Sequence, residues 1–502
     1  MDRIQIRNLR RLEDTGKVEL KPITLLVGAN SSGKSTFLRI FPLFKQSVNA
    51  KIIGPILWYG AEVDFGSYNT ALRKGASNME FAFCWEKVMP SVMSSVYSYT
   101  EPIRDVSLRI EINADADDAY VNLYEISIGD NIISIVQDKG YARQNIHING
   151  HDPKEYGIVG FMQLFWGKEM LPIMEIRGEG WGLSSEPSEL VINFLRGYLK
   201  KTSLSSYADA FDAQLYSKIE MSSNIAIAQQ LVEKMHIEGV NVETLSKEIG
   251  FRNFVEAYLL SNIRVICSNI NEQLTEEFNA SYYIKPFRAS AERYYRWQNL
   301  AVDTLDSDGH NMAMYVNNMY KDKKQKQQFI EWTNRLFGFE LNVNNPEGHL
   351  SLAIKESDKE AYNIADKGYG YSQILPVILA LWQIYFTYAS SSSFKGKTIF
   401  IAIEQPELHL HPKLQAKLMD AFIAVVSTAR AKGVDIKLII ETHSPTMINR
   451  LGVKIARRQY PNDGASILLF HALDEEKPSP QVAMYDNEGI LSNWPAGFFE
   501  VE

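Results

Sequence analysis

The sequence predicts an α/β protein: a P-loop core with a mixed sheet flanked by helices, an antiparallel β-layer and a helical insertion. Three observations predict it. Gly28-Ala29-Asn30-Ser31-Ser32-Gly33-Lys34-Ser35-Thr36 fits G-x-x-x-x-G-K-[ST], the phosphate-binding loop. An apolar run, Ile23-Thr24-Leu25-Leu26-Val27, precedes that loop, and Phe37, Leu38, Ile40, Phe41 and Phe44 follow it at helical spacing. Two later apolar runs, at 398–403 and 438–440, end in polar and acidic residues, as strands do where their carboxyl ends line a ligand crevice.

The 502 residues can bury a large core and suggest two to four domains. Apolar residues at 45% and charged residues at 22% are ordinary for a globular protein. A formal charge of −8 argues against general coating of polyanions, although a local basic patch is compatible with it. Cys84 and Cys267 lie far apart and give neither metal spacing nor a disulfide framework, which fits a reducing cytoplasm. The start lacks an apolar signal core, and the longest apolar stretch, 374–386, is too short to span a bilayer. No membrane association is expected.

In chain order, residues 3–9 alternate as an exposed strand does, and 18–20 lead to the phosphate-loop strand. Pro42 should kink or end the helix after the loop, because it lacks an N–H and clashes one turn back. Residues 80–85, 106–112, 120–128 and 131–137 alternate, with Gly129-Asp130 as a hairpin turn, and predict the antiparallel layer. From 150 to 279 the periodicity is helical, over 189–200, 208–219, 226–235 and 253–278, with Gly180, Pro187 and Gly250 as breakers. Residues 282–288 read as a strand returning to the core. The basic run at 321–326 reads as a solvated helix face. The expected organisation is an N-terminal lobe at 1–140, a helical insertion at 150–280 and a C-terminal lobe at 281–502.

The chemistry follows from strand ends and loops. Loop N–H groups from Asn30, Ser31, Ser32 and Gly33 can wrap phosphate, Lys34 can reach the β- and γ-phosphates of ATP, and Ser35 can ligate Mg²⁺ beside Thr36. Glu404 closes the strand at 398–403, where a P-loop fold holds Mg²⁺ and its waters, so Ser35 and Glu404 are the candidate metal ligands. His443, at the tip of the strand before it, can contact a γ-phosphate or an attacking water. Gly368 and Gly370 permit close backbone approach, and Ser372 and Gln373 precede an apolar helix expected near Ile374. His409 and His411 alternate as ligands can, but a third ligand is lacking, so a structural role is expected.

Taken together, residues 28–36, 368–373, 403–411 and 441–444 resemble the phosphate loop, signature motif, Mg-binding strand and switch histidine of ABC-type ATPase heads. The resemblance is to heads of the SMC and "overcoming lysogenisation defect" kind. Phe287-Arg288, Glu292-Arg293-Tyr294-Tyr295, Asp306-Ser307-Asp308-Gly309, the run from Ile403 to Pro412, and Asn487-Glu488-Gly489 with Trp494-Pro495-Ala496-Gly497-Phe498-Phe499 are similar to a family of bacterial ATPases. That family includes the ATPase subunit of Septu-type antiphage systems, also found beside certain retrons. The resemblance covers about residues 1–140 and 281–502 and implies a homo-oligomer of facing heads. ATP would be gripped between one copy's phosphate loop and the other's Gly370, Ser372 and Gln373. Asp64-Phe65-Gly66 would then lie near a γ-phosphate-sensing loop.

Hydrolytic heads of this kind place a water-activating glutamate after the Mg carboxylate; here that position is Gln405. An amide can orient water but cannot take its proton near neutral pH. Either Glu407 or His443 supplies the base and turnover is slow, or ATP serves as glue for an assembled complex. The resemblance implies a regulatory ATPase of an antiphage complex that holds a separate HNH-type nuclease, with nucleic acid or a retron reverse transcriptase–RNA–DNA complex as a further partner. The alternative is an SMC-like DNA repair or tethering ATPase, which predicts long coiled-coil arms that the insertion does not supply. A nuclease domain fused after the head would need more than the roughly sixty residues after His443. A transporter nucleotide subunit would lack this insertion and carry a different signature.

Overall fold

The structure is a computed structural model. It describes all residues except 53, 92–98, 100, 116–117, 138–143, 157–161, 166–172, 177–186, 346–347, 357–359, 390–393, 472–479 and 496–502. The last segment takes in residues 496–499 of the C-terminal motif, and Gly180 also lies outside the described residues. The chain divides into two compact units, each made of two stretches: 1–19 with 43–279, and 20–42 with 280–502.

In the first unit, β1 (Arg3–Leu9), β2 (Leu12–Asp14) and β3 (Val18–Glu19) form one end of an antiparallel sheet. The phosphate-loop strand β4 (Ile23–Gly28) and helices α1 (Lys34–Leu38) and α2 (Ile40–Asn49) come next in the chain. The helical path breaks at Arg39 and restarts with Pro42 in the first turn of α2, where a missing N–H costs little. The sheet of the first unit continues with β5 (Met79–Val88), β6 (Ile103–Asp115), β7 (Asp118–Ile128), β8 (Asn131–Gln137) and β9 (Gln144–Ile148). Alternate residues of β6 and β7 are buried, which is the period-2 pattern read in the sequence. Gly129, at φ 57°, turns the chain between the paired residues Ile128 and Asn131.

The segment expected to be helical also holds an antiparallel pair, β10 (Met162–Phe165) and β11 (Ile173–Ile176). Its helices are α3 (Pro187–Leu199), α4 (Asn224–Lys234), α5 (Val242–Lys247), α6 (Ile249–Ser261) and α7 (Ile263–Asn279). Pro187 opens α3 and so marks a boundary as expected. Gly250 does not break a helix: the break falls two residues earlier, at the extended Glu248. The long helix read over 253–278 is two helices: the Asn262 backbone leaves helical geometry (φ −100°, ψ 11°) while its side chain bonds Tyr216 Oη (2.7 Å) and the Tyr258 carbonyl (2.8 Å). The helix read over 208–219 is only a short turn, Ala213–Tyr216, capped by Asp212.

The second unit is built on the sheet order β12-β17-β18-β4-β19-β20-β21. β12 (Tyr282–Ile284) precedes β13 (Tyr295–Arg296), α8 (Met312–Met319), α9 (Lys323–Phe337), β14 (Phe339–Asn344), β15 (His349–Glu356) and β16 (Tyr362–Asn363). Then come α10 (Tyr369–Ile384), β17 (Thr398–Glu404), α11 (Pro412–Ala431), β18 (Asp435–Glu441), α12 (Pro445–Ala456) and β19 (Ala465–Phe470). The hairpin β20 (Gln481–Tyr485) and β21 (Leu491–Ser492) closes one edge. β12, β17, β18, β4 and β19 run parallel, and β4 and β19 are buried at every position, as expected of strands covered on both faces. Helices pack an aromatic core on this unit: Trp382 lies 5.6 Å from Trp332 and 5.3 Å from Phe329, centroid to centroid. The basic run is the exposed start of α9, capped by Asp322. Among the described residues no helix is long and apolar enough to cross a membrane.

Candidate nucleotide site

The parallel pairing sets the site. β18 lies between β4 and β17, with Glu441 opposite Leu26 on one side and opposite Glu404 on the other. Two carboxylates therefore stand at adjacent strand tips beside the phosphate loop. β4 ends at Gly28, whose φ is 152° and where an added Cβ would stand 2.2 Å from the Phe470 carbonyl oxygen. Only glycine lets β4 lie this close to β19 while the chain turns into the loop. Ser31 sits in the left-handed region (φ 62°), and Gly33, at φ 107°, starts α1.

Lys34 is buried, and its ammonium donates to the carbonyls of Gly28 (3.0 Å) and Ala29 (2.6 Å). Burial lowers its pKa, against the pull of the Glu441 charge. Ser35 stands beside the Glu441 carboxylate, and its hydroxyl counters part of the rise that burial causes in the Glu441 pKa. Asn30 and Ser31 are exposed on the loop, Ser32 and Thr36 are half-buried, and the Ser32 Oγ atom is itself buried without a hydrogen-bond partner among the described residues.

Glu404 is held by residues that the sequence did not single out for this role. Arg39 grips it through Nε to Oε1 (2.6 Å) and Nη2 to Oε2 (2.8 Å). Tyr283 Oη donates to Oε1 at 2.7 Å, and Arg288 donates to the Glu404 carbonyl at 2.9 Å. The bond to Glu404 raises the Arg39 pKa further, as a forked ion pair should. Arg288 is buried, its Nε and Nη1 have no partner among the described residues, and burial pulls its pKa down to about 10.

Gln405 follows with φ 42°, a left-handed conformation rare outside glycine, and its N–H donates to the Glu441 carbonyl at 2.9 Å. Glu407 is buried; Oε1 accepts the His443 N–H at 2.6 Å, while Oε2 has no partner among the described residues. Burial raises the Glu407 pKa, which the His443 N–H and the Arg288 charge oppose in part. Burial and the Lys34 charge lower that of His443, so its imidazole is neutral at pH 7.

The structure thus brings Lys34, Ser35, Glu404, Glu407 and His443 into one neighbourhood with Arg39 and Glu441. It places the signature turn differently. Helix α10 begins at Tyr369, five residues before the expected start, so Ser372 and Gln373 are buried inside it rather than at its tip. Gly370 packs beside the His409 carbonyl, and Gln373 Nε2 approaches the Arg288 carbonyl at 3.4 Å. His411 caps α11 by accepting the Lys413 N–H at 3.2 Å. In the first unit, Arg10 stacks over Phe65 at 4.3 Å and donates to the Asp64 carbonyl at 3.0 Å.

Parallel strands, a phosphate loop between two of them and acidic strand tips define a P-loop ATPase head of the ABC type. The chain belongs to the AAA_15 family, the AAA ATPase domain, whose model matches residues 1–448. It is 23% identical over 303 residues to Endonuclease GajA of Bacillus cereus (strain HuB5-5), a match covering 53% of this chain and 42% of that protein. The chain therefore spans less than half the length of this curated relative. Among solved structures it resembles an Smc head bound to the C-terminal winged-helix domain of ScpA (11% identity, 96% of each chain, TM-score 0.34). It also resembles the SMC head domain from Thermotoga maritima (8% identity, 97% of this chain and 98% of that one, TM-score 0.33).

Proposed function

We propose that this chain is a cytoplasmic, ATP-binding regulatory ATPase subunit of a bacterial antiphage complex. It hydrolyses ATP slowly and controls a separate HNH-type nuclease, in the manner of the ATPase subunit PtuA of Septu-type and retron-associated systems. The observation that carries the nucleotide assignment is the convergence of Lys34, Ser35, Glu404 and Glu441 at the tips of β4, β18 and β17. Asn30, Ser31, Ser32, Gly33 and Thr36 complete the phosphate cradle. The unpartnered Ser32 Oγ and Glu441 Oε2 suit a phosphate and a hydrated Mg²⁺, which Ser35 would ligate and Glu404, already bonded by Arg39 and Tyr283, would hold through its waters. Bound there, the cation would neutralise phosphate charge.

Slow turnover follows from Gln405, which orients water without taking its proton; Glu407, or His443, then serves as base. Gly370, at the start of α10, serves a second copy of the chain, with ATP holding the two heads together; Ser372 and Gln373, buried inside that helix, support the turn from behind. Residues 1–140 and 281–502 supply the head, and 150–280 supplies the contact to the nuclease or to nucleic acid. The endonuclease relative supports a nuclease setting and leaves cutting to a partner in this reading.

Lys34→Ala is the direct test. It should abolish ATP binding in equilibrium titration and abolish protection against phage in cells. Protection retained by the variant would remove nucleotide from the role. DNA tethering by the purified chain with no nuclease in its complex would favour the SMC-like repair reading instead.

A further inference from the structure

Of the two carboxylates at the strand tips, the sequence points to Glu404, yet that group is already satisfied. Arg39 covers both of its oxygens and Tyr283 adds a third bond. Glu441, one strand nearer the phosphate loop, is in the opposite situation. It is 3% exposed, Ser35 stands beside its carboxylate, and Oε2 has no hydrogen-bond partner among the described residues. A buried, half-satisfied carboxylate is costly unless something arrives to use the remaining oxygen. The nearby Lys34 ammonium is engaged by two loop carbonyls. Ser35 is the P-loop hydroxyl that reaches a divalent cation in this class of site.

We propose that Glu441 is a cation-anchoring carboxylate of the nucleotide site: it fixes the Ser35 hydroxyl through one oxygen and takes a water of the bound divalent cation on Oε2. The inference deepens the nucleotide reading and rests on it. It makes Glu441 a positioning residue, acting through Ser35 and the cation's hydration shell. Glu404 and Glu441 sit side by side, and burial together with the Glu404 charge pushes the Glu441 carboxyl up. A cation between them would relieve that repulsion.

The test is the Mg²⁺ dependence of ATP binding by the full chain. A fluorescent ATP analogue is titrated in EDTA and across a Mg²⁺ series, for the wild type, Glu441→Gln, Glu441→Asp and Ser35→Ala. In the wild type Mg²⁺ should tighten binding. Glu441→Gln should lose at least tenfold of that gain, read as the ratio of binding with Mg²⁺ to binding in EDTA for the same variant. Ser35→Ala should lose it similarly, and Glu441→Asp should recover part of it. A purely structural Glu441 would shift the melting temperature with Mg²⁺ dependence intact, and that result overturns the proposal. Mg²⁺-independent binding by the wild type also overturns it, leaving the nucleotide site standing. No binding by the wild type, with or without Mg²⁺, overturns the nucleotide reading and this inference together.

Discussion

Gln405 concentrates the functional question in one side chain. Its backbone is held at φ 42° by the bond from its N–H to the Glu441 carbonyl, and glutamate is nearly isosteric with it. Gln405→Glu should therefore keep the loop and add a base: steady-state phosphate release is expected to rise at least about tenfold, toward the usual range for a positioned general base. An unchanged rate would show that chemistry is not limited by proton transfer there. Glu407 makes a second residue-scale prediction. Its folded pKa is raised, so between its unfolded and folded values the native state holds a proton that the unfolded chain has released. The stability contribution present at low pH is thus lost as pH rises through the folded value. Glu407→Gln should flatten that decline in melting temperature, because its amide oxygen can still accept the His443 N–H. If Glu407 is also the base, the same variant removes the residual hydrolysis. At this scale the sequence names the residues that carry motif spacing, Lys34, Ser35 and Glu404. It does not assign roles to Arg39, Tyr283 or Glu441, since a forked ion pair between residues 365 positions apart leaves no local pattern.

Elements were legible where burial imposes a period or a continuous apolar run. β4, β17 and β18 are such runs, and β5 to β8 alternate, because their neighbours are fixed by the sheet; β19 is equally apolar but follows no motif that marks it. Glycines at 368 and 370 suggest a loop and a later start for α10, whereas only Gly368 uses a positive φ and Gly370 is already helical. The apolar spacing runs through α6 and α7 as if they were one helix, because a single asparagine separates them without disturbing it. One element offers a clean test. Ser444 caps α12 by accepting the Met447 N–H at 3.1 Å and donates to Gln415 Oε1 of α11 at 2.6 Å. Ser444→Ala should cost about 1–2 kcal/mol, measured by denaturant unfolding, from the lost cap and the orphaned amide.

Over the whole chain, the sequence suggests contiguous blocks, whereas each compact unit is assembled from two separated stretches. No local signal in 1–42 announces that residues 20–42 belong with 280–502. Removal of residues 1–19 should therefore damage 43–279 rather than the nucleotide-site strands: β1 pairs β5 from Arg3 opposite Cys84 to Arg7 opposite Glu80, and its loss leaves β5 a bare edge. Aggregation or a lost melting transition is expected; a fully soluble, cooperatively melting truncate would contradict it. The same threading has a consequence for biosynthesis. Ile23 of β4 pairs with Leu438 and Ala465, so the phosphate strand leaves the ribosome more than four hundred residues ahead of its sheet neighbours. At ordinary elongation rates that is a wait of roughly twenty to eighty seconds for an apolar strand with no permanent place. A nascent chain of this design depends on shelter by a holding chaperone, or on transient burial of that strand, until translation is nearly finished.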